Sequence, residues 1–204
     1  MPVRAVASLL IAFIAPAALA DPMSDLTKDG NAVCFRRDYD AAHLKKNPGQ
    51  QVTSMMVWIA GKDQMRSGNT GLALTRRGDS HPLFLAGDCS WGNFDGPPSW
   101  MPSFRKSFGA GCVTLAVPDV FTNVSSAKEG GGVILDPAAD GKTMMVHLDG
   151  RQSMVKRADR EDEISVKLGA ADRVFLVRRV DAKAFDFLKE ALTTLEPGPE
   201  LRAR

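Results

Sequence analysis

Gly130-Gly131-Gly132-Val133-Ile134-Leu135, Asp136-Pro137-Ala138-Ala139-Asp140-Gly141, Lys142-Thr143-Met144-Met145-Val146-His147-Leu148 and Asp149-Gly150 follow one another without interruption, and their reading decides the fold class. Met144, Val146 and Leu148 alternate with Thr143, Met145 and His147, the period-2 pattern of a strand with one buried face. Asp149-Gly150 predicts a tight hairpin, because both central residues of such a turn must tolerate positive φ. Three further strand-like segments follow, Arg151–Arg157, Glu163–Leu168 and Asp172–Val180, each set off by a polar or glycine-containing break. Together they read as an antiparallel meander. The triple glycine leads into a strand and not a helix, so it predicts a bulge or a close backbone approach instead of a phosphate-binding loop.

Working upstream, strand patterns cover Asn31–Arg36, Gln51–Ala60, Gly71–Arg77, Leu83–Cys89 and Cys112–Val117. Val52, Met55, Met56, Val57, Trp58 and Ile59 make the second of these apolar almost throughout, as expected for a strand covered on both faces. Arg77-Gly78-Asp79 matches a cell-adhesion tripeptide, but three residues match by chance easily, and the segment reads as a turn. Two helices are predicted. The first lies within Asp38–Gly49, with Asp38 as its cap, lysines in its last turn and Asn47-Pro48-Gly49 as its stop. The second begins after Asp181, where Ala184, Phe185, Leu188, Ala191, Leu192 and Leu195 recur at three- and four-residue steps. Asp21–Gly30 reads as a loose lead-in. The expected fold is mainly β: an antiparallel meander barrel of about eight to ten strands with a short N-terminal helix and a C-terminal amphipathic helix. A two-sheet β-sandwich is the alternative.

Composition narrows the partners. Residues 1–20 carry one cation (Arg4), an apolar run Ala5–Ala15 and Ala18-Leu19-Ala20, the layout of a cleaved signal peptide. The run is short for a hydrocarbon core of about 30 Å, and no cysteine follows the junction to carry a lipid. Residues 21–204 form one domain in this reading, with a periplasmic or secreted location and no transmembrane segment after cleavage. The chain has 26 basic and 24 acidic residues. Both signs are interspersed without a basic stripe, which argues against a nucleic-acid partner. Export permits disulfides, and three cysteines leave one over. Cys89–Cys112 is the favoured pair, since each cysteine bounds a strand-like run and the bridge would pin a hairpin beneath a long connection. Cys34 then reads as a buried, inert thiol.

That connection, Ser90–Gly111, is rich in large apolar groups, and Trp91, Phe94, Trp100, Met101 and Phe104 are the expected ligand- or partner-binding residues. The plainer reading is a cap folded onto the domain. A second constellation combines Tyr39, the one tyrosine, with His43 one helical turn on and Asp38 or Asp40 beside it. An imidazole oriented by a carboxylate can serve as a general base, whereas a capping cluster would place the same residues without chemistry. His43, His81 and His147 form no ligand-spaced pair, so neither a metal nor another cofactor is expected.

The block Cys34-Phe35-Arg36-Arg37-Asp38-Tyr39-Asp40-Ala41-Ala42-His43-Leu44-Lys45-Lys46-Asn47-Pro48-Gly49-Gln50-Gln51-Val52-Thr53 resembles the start of a group of exported, functionally uncharacterised bacterial proteins. Gly87-Asp88-Cys89, Gly109–Cys112 and Gly130-Gly131-Gly132-Val133 are similar too. The resemblance implies a periplasmic location and supplies no catalytic residues. This chain departs from the group in its long aromatic insertion between Cys89 and Cys112 and in having fewer cysteines.

Three functions of different class follow. The leading one is a non-enzymatic exported β-domain that binds a protein or envelope partner through Ser90–Gly111. A lipocalin-like carrier of a small apolar ligand in the barrel interior is the alternative. An enzyme centred on Tyr39 and His43 is the third.

Overall fold

The computed structural model of the chain describes residues 21–61, 66–93, 108–115, 129–156 and 163–185. The elements are α1 (Pro22–Leu26), β1 (Ala32–Asp38), α2 (Ala41–Lys46), β2 (Val52–Gly61), β3 (Ser67–Arg76), β4 (Leu83–Asn93), β5 (Phe108–Leu115), β6 (Glu129–Pro137), β7 (Thr143–Leu148), β8 (Arg151–Lys156), β9 (Glu163–Lys167) and β10 (Val174–Val180). Each strand from β1 to β7 pairs with the next, β7 pairs with β10, and β10 returns to β1. Eight antiparallel strands thus close into a barrel, which leaves no free edge among them.

The meander differs from expectation at two links, since neither β7 with β8 nor β9 with β10 is paired. Asp149-Gly150 does not join a hairpin, because β7 and β8 are not paired. β8 pairs instead with β9 and, at Leu83 and Phe84, with the start of β4. β8 and β9 are therefore an excursion inserted between the seventh strand and the closing one. The glycine run makes room for it. Gly131 has φ 131°, and a Cβ there would lie 2.5 Å from the Arg151 carbonyl oxygen. Gln152, fully buried, donates from Nε2 to the Gly132 carbonyl at 3.1 Å.

Strand alternation fills the interior. Val33 and Phe35, Met55, Val57 and Ile59, Leu72 and Leu74, Leu83 and Leu85, Met144, Val146 and Leu148, Phe175 and Val177 form one buried cluster. Val52 and Met55 both point inward despite their odd spacing, because the β2–β3 register shifts between Val52 and Ser54. Both barrel ends are closed. At one end Met154, Val166 and Leu168 of the β8–β9 excursion join the cluster, and at the other Met23 and Leu26 of α1 do so.

The lead-in is thus structured, contrary to expectation. Asp21 accepts from Ser24 N and Oγ at 3.3 and 2.8 Å, Pro22 stands in the first turn, and the two apolar residues face the core. The first helix is also shorter than expected, with Asp40 and not Asp38 as its cap. The expected signal peptide and almost all of the expected C-terminal helix lie outside the described residues. Where the chain leaves β10 it makes a turn of 3-10 helix, Ala182–Phe185.

Candidate functional site

Tyr39 stands where β1 gives way to α2, its N–H donating to the Thr53 carbonyl at 2.9 Å. Its half-buried ring lies 4.6 Å from His43, 6.5 Å from Phe175 and 5.0 Å from the Arg37 guanidinium carbon. Burial raises the phenol above its ordinary value, while the charge and hydrogen bond of Arg37 pull it part of the way back and the Asp172 charge pushes it up again. The phenol is therefore neutral at neutral pH.

The structure brings Tyr39 and His43 together but not the expected carboxylates. Asp38 points away into an exposed pair with Arg36 at 2.7 Å. Asp40 is engaged by the His43 backbone N–H at 2.7 Å. The imidazole partner is an amide: His43 Nε2 lies 3.0 Å from Gln50 Oε1, and Gln50 Nε2 donates to the Val52 carbonyl at 2.8 Å. That second bond fixes the amide orientation, so Nε2 of His43 carries the proton it donates. An imidazole that donates through Nε2 to a neutral amide is positioned, but that nitrogen is not poised to take a proton. The cluster offers stacking and hydrogen bonding.

Three residues that build this end went unread in the sequence. The buried Asp172 carboxylate accepts from Gln51 N at 3.0 Å and Val52 N at 2.9 Å. Gln50 holds His43. Arg77 donates to the carbonyls of Gln50 at 2.8 Å and Leu44 at 2.6 Å, satisfying the open end of α2 and favouring its dipole. The adhesion-like tripeptide is part of a turn in which Arg76 binds Asp79 at 2.7 Å and Gly78 takes φ 82°.

The β4–β5 hairpin carries the disulfide Cys89–Cys112 as expected, between directly opposed residues with Cα atoms 4.0 Å apart. Both cysteines belong to the interior cluster. Pairing continues past the bridge through Ser90↔Gly111, Trp91↔Ala110 and Gly92↔Gly109 to Asn93↔Phe108. Trp91 is therefore not a loop residue. It is 6% exposed, inside the barrel, with Nε1 donating to Ser24 Oγ at 3.2 Å. A Cβ at Gly68 would meet its ring at 2.8 Å, so the bare backbone of β3 makes way for the indole. The expected loop position of Trp91 is thus replaced by one in a strand, inside the barrel. Phe94, Trp100, Met101 and Phe104 lie outside the described residues.

A recess of about 460 Å³ opens beside α1, with Asp25, Asn31, Asp140 and Arg179 on its walls. Its charged lining does not suit an apolar ligand. Among the described residues no three His, Cys, Asp or Glu side chains group as a metal site would need. No helix of the described residues is long and apolar enough to cross a membrane. Set against protein-family models, curated proteins and solved structures, the chain matches none of them.

Proposed function

We propose that this protein is an exported, non-enzymatic binding domain whose barrel is a rigid scaffold for the connection between β4 and β5. The observation that carries the reading is the base of that connection. A covalent bridge and four further residue pairs beyond it hold the two arms together up to Asn93 and Phe108. Residues 94–107 thus leave from a fixed platform, and they contain Phe94, Trp100, Met101 and Phe104. Pre-organised arms lower the ordering cost of whatever contact that segment makes, and aromatic groups are the usual anchors of protein interfaces.

The carrier reading has less support. Side chains from every described barrel strand occupy the interior, and α1 and the β8–β9 excursion stop its two ends. An enzyme at Tyr39 and His43 has less support, because Asp38 and Asp40 are engaged elsewhere and the imidazole's partner is the neutral Gln50 amide. Export rests on the pattern of residues 1–20 and the resemblance of the Cys34–Thr53 block to a group of exported, functionally uncharacterised bacterial proteins. The disulfide fits it, since such bridges persist in oxidising compartments.

The test replaces residues 94–107 with Asn-Gly, which suits a two-residue turn between Asn93 and Phe108. The variant should keep the disulfide and the melting transition yet capture no envelope protein that the parent captures. A variant that fails to fold would reassign the segment as a structural cap, and undiminished capture would move the binding surface elsewhere.

A further inference from the structure

The outer wall of the barrel carries an apolar trough that its own strands do not cover. One ladder rung runs Val180, Cys34, Trp58, Gly71 and Ala86 across β10, β1, β2, β3 and β4. The next runs Arg36, Met56, Ala73, Phe84 and Val155. These side chains alternate with the interior set and so face outward. An uncovered outward face of a barrel is wetted, yet Cys34 is 1%, Met56 5% and Ala73 4% exposed. They form a second buried cluster, separate from the interior, with Trp58, Val180 and Ala184 packed at its margin.

We infer that this trough is the docking surface of the chain's own C-terminal segment, residues 186–195. Three observations converge. First, the chain is delivered there: after β10 the turn at Asp181–Ala184 closes through Ala184 N to Asp181 O at 3.0 Å, and Ala184 touches the trough. Second, Leu188, Ala191, Leu192 and Leu195 continue the three- and four-residue spacing from Ala184, giving one apolar stripe. Lys189, Glu190, Thr193 and Thr194 fall on the opposite side. Third, the lengths agree. Ten helical residues span about 15 Å, and crossing from β1 to β4 takes three strand spacings, about 14 Å. Gly71, Ala73 and Ala86 keep the β3–β4 side of the trough shallow enough for a helix backbone to approach, with Trp58 and Met56 beside them on β2.

Cys34 reports on this contact, because it lies in the trough and is the one cysteine outside the disulfide. In the oxidised full chain it should react with Ellman's reagent only as fast as the segment lifts away. Ending the chain after Phe185, or introducing Leu188→Asp with Leu192→Asp, should accelerate that reaction at least about tenfold with the barrel's melting transition retained. Unchanged protection in either folded variant would overturn the inference, and protection that fades on dilution would assign the trough to a second copy of the chain. Should both variants unfold, the intact chain decides. Leu188→Cys should bridge to Cys34 under mild oxidation while Lys189→Cys does not. Equal bridging from both positions, or none from either, overturns it.

Discussion

The carboxylate of Asp172 accepts a hydrogen bond from the backbone N–H of Val52 at 2.9 Å, across 120 residues of sequence. Gln51 donates to the same group at 3.0 Å. Together these bonds tie the turn before the closing strand to the start of the second one, at the barrel end where α2 sits. The carboxylate is buried, and removing it would leave two N–H donors facing protein. Asp172→Ala should therefore cost about 3 kcal/mol, a fall of roughly 10 °C in Tm for a chain of this size. Asp172→Asn, which retains one acceptor, should lose less. Equal losses from both would mean that charge, not hydrogen bonding, makes the contribution.

Tyr39 is the chain's one tyrosine, so phenolate absorbance reads it alone. Its folded pKa is raised above the ordinary 10.0, chiefly by burial. A raised value means that the folded state holds the proton longer than the unfolded state does. The associated stability is complete below the unfolded value and is lost as pH rises toward the folded one. The protein should thus weaken from 10.0 upward by more than its Tyr39→Phe variant does. Parallel stability curves for the two proteins would remove this account.

The Cys89–Cys112 bridge spans 23 residues. Reduction should lower stability by about 3 kcal/mol on the chain-entropy account. The double variant Cys89→Ala with Cys112→Ala should lose at least that much and become insensitive to reductant. Because both sulfurs lie in the interior cluster, the variant should fall somewhat below the reduced parent, having a void where the sulfurs were.

Two tryptophans should part company. Trp91 fills the α1 end of the barrel, and Trp91→Ala should cost about 3–5 kcal/mol. Trp100, assigned here to recognition, should cost less than about 1 kcal/mol as alanine and instead reduce partner capture. Thermal melts and pull-downs on the pair separate the scaffold from the contact it presents.

The contrast between these two residues also marks what a sequence can convey. The barrel was legible, because alternation in Thr143–Leu148 and the apolar run of Val52–Ile59 each depend only on near neighbours. The disulfide was legible from the position of each cysteine beside a strand pattern. Trp91 was misread because Trp-Gly-Asn looks like loop chemistry, while its strand state depends on Ala110, its partner across the hairpin. Asp149-Gly150 satisfied the turn rule, but β8 pairs with β9 and, about 70 residues back in the chain, with the start of β4, where Phe84 lies opposite Val155. Asp172, Gln50 and Arg77 act on backbone groups brought in by the fold, and nothing local distinguishes such residues from solvated ones. α1 was the avoidable miss. Asp21-Pro22 followed by Met23 and Leu26 already spelled a capped start with an apolar face.

Barrel closure has a further consequence. The first strand finds one neighbour at once in β2, but its other neighbour is the last strand, with Cys34 opposite Val180. Until nearly all of the polypeptide has been synthesised, β1 and β7 remain sticky margins able to recruit strands from other molecules. A ring sealed by contacts this distant in sequence also assembles slowly. Any chaperone that accompanies the nascent protein must guard those two margins until β10 arrives.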